Sequence, residues 1–310
     1  MDVTLPQTQR RWRTPRRIDL RAQLGPLRRG SGDPTWHSEP GGAIWRTTLT
    51  PEGPGVERLI VDRAAGEVDL QAWGSGADWL ANRLPTLLGD SDDPNGFEPP
   101  EVLAPIVARN SGWRVGRTDR VLEALIPAIL EQKVTGKEAW LGWRTLVRDF
   151  GEPAPGNGVA PGRLRVFPQV DVWSQIPSWA WHQAGVDSKR SSAVLRSVSQ
   201  SAALEALGVA DAVEAHYRLR AIDGVGIWTA AETAQRALGD PDAVSYRDYH
   251  LAKEVVYLFT GQRDGTDEQL AQILLPFAGH RYRIQRFAEL SGHQRPRRGP
   301  RMTVQDMRRL

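Results

Sequence analysis

"LRAIDGVGIWTAAETAQRALG", Leu219 to Gly239, is the stretch on which the fold turns. Two glycines, Gly224 and Gly226, flank one apolar residue, Val225, and Trp228 opens an alanine-rich run. Glycine lacks a Cβ, so it accepts positive φ and lets another backbone come close. The pattern predicts a helix, a tight turn with Val225 tucked into the core, and a second helix starting at Ile227. The first amides of that helix have no partner within it, and they carry the positive end of the helix dipole. Such a turn can hold a phosphate. A plain corner in a helical core explains the same two glycines, and on these residues alone both readings stand.

Around this turn the chain divides. Residues 1–40 read as irregular and basic. "AIWRTTLT", "ERLIVD" and "EVDLQAW" then read as short strands, with "RAAG" (63–66) as a hairpin connection closed by Gly66. "ADWLANRLPTLL" reads as a helix, and "GDSDDPNGFEPPE" (89–101) as an acidic surface loop. From Pro105 the pattern is helical. Leu122, Leu125, Ile126 and Ile129 share one face behind Thr118, the expected N-cap, and Pro127 predicts a kink or break. Helices are expected over about 189–207, 209–221, 249–259, 267–274 and 281–290. The fold class is therefore α+β: a β-containing N-terminal domain with a basic leader (1–104), a helical domain (105–292) and a basic tail (293–310).

The 310 residues contain no cysteine, which excludes disulfides, thiol catalysis and cysteine-held metal clusters. No apolar run is long enough to cross a membrane, the start lacks a signal peptide's apolar stretch, and a cytoplasmic protein is expected. Net charge is only +3, but four of the 40 basic residues are lysines, leaving 36 arginines. Arginine is the better phosphate ligand. It clusters at Arg10, Arg11, Arg13, Arg16, Arg17 and Arg21, and again at Arg295, Arg297, Arg298, Arg301, Arg308 and Arg309. These clusters are either solvated tails or an electrostatic attraction to nucleic acid.

Three segments together resemble the helix-hairpin-helix DNA glycosylases, and more narrowly the 3-methyladenine DNA glycosylase II (alkylpurine) family. They are "EALIPAILEQKVTGKEA", "AGVDSKRSSAVLRSVSQ", and "LRAIDGVGIWTA" with "RDYHLAK". The likeness spans roughly 109–290. It implies that the hairpin residues Gly224, Val225, Gly226, Ile227 and Thr229 grip DNA phosphate. It also implies a monovalent cation, Na+ or K+, on hairpin carbonyls near Ile222 and Val225, with no other cofactor required.

The resemblance makes Asp248, in "SYRDYHLAK", the catalytic carboxylate. Breaking a C1′–base bond builds positive charge on the sugar, and a nearby carboxylate stabilises it once the base has left the stack. An aspartate at a helix start is also a natural N-cap, and the two roles can coexist. Asp240 and Asp242 read as surface turn residues, and His250 and Lys253 as ordinary helix residues that could touch phosphate. Glycosylases that also cut the strand need a lysine where this chain has Trp228, because the amine forms a Schiff base with the sugar. Tryptophan cannot do so, though it can stack on a cationic base; as one of 12 tryptophans it can equally be core.

The sequence departs from the family at several points. Asp223 stands where proline is usual before the first hairpin glycine. Gln132 and Lys133 occupy the wedge region that enters the DNA stack. By register, Glu232 and Glu289 replace pocket aromatics, and Glu232 is expected to read the base by hydrogen bonding. The implied function is a monofunctional base-excision enzyme, acting as a monomer on double-stranded DNA with damaged, alkylated purines and leaving an abasic site. A catalytically inactive DNA-binding or damage-sensing protein, and a helical interaction domain, are the alternatives.

Overall fold

The computed structural model describes residues 5–156 and 158–296. Five antiparallel strands come first: β1 (Thr8–Arg13), β2 (Trp36–Ser38), β3 (Ile44–Thr50), β4 (Gly53–Asp62) and β5 (Glu67–Trp73), in the spatial order β1-β5-β4-β3-β2. Helix α1 (Leu20–Leu24) lies between β1 and β2, and α2 (Ala77–Leu87) follows the sheet. Leu80, Leu84 and Leu87 of α2 cover the sheet face formed by Ile44, Leu59, Val68 and Leu70. The strand periodicity of two places alternate apolar residues on this one face.

The basic leader is not irregular. Its arginines alternate along the edge strand β1, where Arg11 and Arg13 pair with Asp69 and Glu67 of β5. Arg10 and Arg16 donate to the carbonyls of Ala81 and Leu88. Arg10 and Arg16 are thus spent within the fold, while Arg11 and Arg13 stay largely exposed. Of the C-terminal arginines, Arg295 pairs with Glu254, and Arg297, Arg298, Arg301, Arg308 and Arg309 lie outside the described residues.

The helical part continues with α3 (Ala104–Arg109), α4 (Val121–Leu130), α5 (Gly136–Phe150), α6 (Val170–Gln175), α7 (Ser178–Gln183), α8 (Ser188–Ser199) and α9 (Ser201–Glu205). Then come α10 (Ala212–Arg220), α11 (Ile227–Thr233), a π turn (Ala234–Leu238), α12 (Leu251–Thr260), α13 (Asp267–Leu274) and α14 (Arg281–Leu290). Thr118 is not the cap of α4: its hydroxyl accepts only the Arg120 N–H, while Glu205 accepts the N–H groups of Val121 and Leu122. Pro127 is accommodated, and the helix stops three residues later at Leu130. Thr135 and Glu138 then form a capping box that restarts the chain as α5.

Two helical cores result. One gathers α4, α5, α8, α10 and α11 around Leu125, Ile129, Trp143 and Val194. The other gathers α3, α12, α13 and α14 around Leu103, Trp113, Val255 and Phe287. The loop 89–101 is not merely surface: Asp92 forms a buried, two-pronged pair with Arg283 of α14 at 2.6 and 2.7 Å. Among the described residues no helix is long and apolar enough to cross a membrane.

Candidate active site and hairpin

The two hairpin glycines are exposed, and they are glycine for different reasons. Gly224 has φ +95°, and a Cβ there would sit 2.7 Å from the Ala193 Cβ of α8. Both the backbone angle and α8 exclude a side chain. Gly226 has φ −89° and ψ −177°, open to any residue, and a Cβ would meet nothing within 4 Å. Nothing inside the molecule requires glycine at 226. Between them Val225 is buried, and its N–H closes the turn on the Ile222 carbonyl at 2.9 Å. No side chain caps the N-terminus of α11, where Gly226 is exposed and Ile227 and Trp228 are partly buried.

Asp223 finds its partner in Arg196 of α8, which donates to its carbonyl at 2.9 Å and pairs with its carboxylate at 3.2 Å. The acid at the mouth of the turn is therefore held to one side. Gln132, expected in the wedge region, braces the hairpin. Its Nε2 donates to the Gly224 carbonyl and to the Thr229 hydroxyl, both at 2.9 Å. Its amide nitrogen is thereby committed to the hairpin. Thr229 is 2% exposed, its hydroxyl turned to Gln132. Lys133 takes a left-handed conformation (φ +57°) and is exposed beside this strut.

Asp248 lies just before α12. One carboxylate oxygen accepts the N–H groups of His250 and Leu251 at 2.7 and 2.9 Å, and the other accepts the Trp228 indole N–H at 3.1 Å. Asp248 thus holds the start of α12, and its contact with Trp228 joins the loop to the hairpin helix. Arg247, left-handed at φ +66°, is held through its N–H by Asp267 at 2.8 Å. Lys253 packs over the Tyr249 ring at 4.3 Å, while His250 is exposed.

The other loop acids are tied into the fold. Asp240 is 8% exposed and pairs with His216 at 3.0 Å; its carboxyl is held below the usual range, burial being outweighed by His216 and by loop amides. Asp242 accepts the N–H groups of Gly279 and Arg281, tying the loop to α14.

Glu232 and Glu289 belong to one polar chain. Glu232 accepts from Ser245 and pairs with Arg236 at 2.7 Å. Ser245 meets Gln285, which donates to Glu289, itself paired with Arg286 at 2.8 Å. Arg236 and Arg286 reach back to the carbonyls of Pro26 and Ala22, so the segment after β1 closes this side of the site. Sequence reading missed Ser245, Gln235 and Gln285. They are common polar residues with no motif spacing, and only their burial together marks them.

The fold so defined is that of the helix-hairpin-helix DNA glycosylases. A 3-methyladenine DNA glycosylase from Archaeoglobus fulgidus superposes with a TM-score of 0.73 at 17% identity, over 91% of this chain and 97% of that one. The 8-oxoguanine glycosylase/lyase of Clostridium acetobutylicum gives 0.70 at 14% identity, over 94% and 99%. No family model matches the chain. In sequence it is 30% identical over 149 residues to the probable bifunctional transcriptional activator/DNA repair enzyme AlkA of Mycobacterium tuberculosis, covering 48% of this chain. The chain spans only 29% of that relative's length. The resemblance read from the hairpin thus holds at the level of the superfamily fold.

Proposed function

We propose that this chain is a monofunctional DNA glycosylase that excises damaged, alkylated purines from double-stranded DNA as a monomer. The observation that carries the reading is the Asp248–Trp228 contact at 3.1 Å, beside a hairpin whose second glycine has no internal purpose. The hairpin amides and Gly226 would receive a phosphate on the 3′ or 5′ flank of the lesion. Asp248, anchored by two helix amides, would face the sugar and stabilise positive charge as the base departs. Trp228 would offer its ring to the flipped base. Its place on α11 leaves no amine there to form a Schiff base, so the product is an abasic site in an intact strand.

A monovalent cation fits the hairpin. The Ile222 carbonyl keeps one lone pair after accepting the Val225 N–H, and the Val225 carbonyl lies in the same turn. Such an ion would supply positive charge toward a phosphate.

The test is base release from duplexes carrying 3-methyladenine, 7-methylguanine, hypoxanthine or ethenoadenine. Wild type should release at least one base, and Asp248→Asn should abolish release while DNA binding persists. Undiminished release by Asp248→Asn overturns the mechanism. Strand scission without heat or alkali overturns the monofunctional assignment. Tight binding with no release from any lesion identifies a damage-binding protein.

A further inference from the structure

Ser245 lies three residues before Asp248 and is 2% exposed. Its hydroxyl donates to Glu232 Oε1 at 2.5 Å and accepts from Gln235 Nε2 at 3.0 Å and Gln285 Nε2 at 3.3 Å. A hydroxyl has one donor and two acceptor positions, and all three are filled. Its backbone is held as well. The N–H donates to Gln285 Oε1 at 3.2 Å, and the carbonyl accepts the Asp248 N–H at 3.2 Å. One buried serine therefore pins the Asp248 loop to α11 and its π turn on one side and to α14 on the other.

Both carboxylate oxygens of Glu232 are engaged in this arrangement. One oxygen takes the Ser245 hydroxyl and the other takes Arg236, and the side chain is only 10% exposed. Each oxygen thus has a partner within the protein's own network. We propose that Glu232, Ser245 and Gln285 form a positioning clamp that fixes Asp248 relative to Trp228, and that Glu232 acts through Ser245 instead of reading the base. The clamp rests on the glycosylase reading of Asp248. It replaces the expectation that Glu232 sets lesion preference by contact.

A positioning role and a reading role leave different signatures. A misplaced carboxylate slows every substrate alike, and a displacement near 1 Å costs on the order of 100-fold. A lost base contact slows only the lesions that used it. The experiment compares single-turnover base release by wild type, Ser245→Ala, Glu232→Ala and Glu232→Gln on two cleaved lesions, with DNA affinity measured alongside.

Ser245→Ala and Glu232→Ala should slow both lesions by one common factor, on the order of 10- to 100-fold, with affinity unchanged. Glu232→Gln, whose amide oxygen still accepts the serine hydroxyl, should recover most of the rate. A changed ratio between lesions, or unchanged rates, overturns the clamp.

Amide hydrogen exchange gives a readout independent of activity. The amides of His250 and Leu251, which Asp248 holds, should exchange faster in Ser245→Ala and Glu232→Ala than in wild type. Unchanged exchange there overturns the clamp. Faster exchange in a protein whose wild type releases no base upholds the clamp and places the failure in the glycosylase reading.

Discussion

Alanine at each hairpin glycine should separate folding from binding. At Gly224, alanine must adopt φ +95° with its Cβ 2.7 Å from that of Ala193. A left-handed L-residue costs about 1–2 kcal/mol, and forcing extra volume into a packed contact costs about 1–3 kcal/mol. Gly224→Ala should lose about 2–5 kcal/mol by urea unfolding, the sum of those two terms. At Gly226 the backbone is ordinary and the space is open. Gly226→Ala should therefore gain about 0.4–1 kcal/mol, because alanine restricts the unfolded chain. Its DNA binding should nevertheless weaken. A methyl over the uncapped amides displaces a phosphate, and a hydrogen bond to a charged group contributes about 1.5–3 kcal/mol. That corresponds to roughly 10- to 100-fold in affinity, measurable by fluorescence anisotropy on a short duplex at fixed salt. A stable Gly226→Ala that binds as tightly as wild type would refute the phosphate assignment. A strongly destabilised one would show that the fold, not a ligand, requires the glycine.

Other perturbations follow from the same structure. Glu123 of α4 is partly buried and accepts the Leu49 N–H of β3 at 2.7 Å. Burial raises its pKa to about 7 from the ordinary 4.5, against the pull of Arg120, that amide and Arg46. Between those two values the folded protein keeps a proton that the unfolded chain has lost, so stability falls as pH rises across the window. At 1.36 kcal/mol per pH unit the loss approaches about 3 kcal/mol by pH 7–8. Glu123→Gln should remove it, and urea midpoints at pH 5 and 8 check this. Asp92→Ala strands the buried Arg283 and should lose about 3–5 kcal/mol in the same assay, whereas a loss below 1 kcal/mol would mean the pair is solvated. Gln132→Ala frees the hairpin from α4 and should weaken duplex binding several-fold with little change in melting temperature; an unchanged affinity would make the strut dispensable.

Much of the fold was legible because its signals are local. The strands β3 to β5 and the helix faces of α4 and α12 show the periodicities that burial imposes. β1 was hidden because Thr8 and Arg10 occupy partly buried positions of its alternation, so period two carried no hydrophobic contrast. Arg10 is accommodated there by the Ala81 carbonyl, a partner 71 residues away. Thr118 looked like a cap, but Glu205 supplies the acceptors from α9. Asp240 and Asp242 looked like turn residues because nothing local shows that His216 and Arg281 stand opposite them.

By itself the sequence determined the hairpin, the helix beginning at Ile227 and the place of Asp248 before α12. These depend on backbone preference, which neighbouring residues set. Only the tertiary structure decided which polar groups are free. It turned the Trp228 indole onto Asp248, drew Asp223 to Arg196, spent Gln132 on the hairpin and closed Glu232 onto Ser245. A side-chain hydrogen bond needs a partner within about 3 Å at the right angle. For residues 13 to 92 positions apart, only the packing of helices onto one another supplies that geometry.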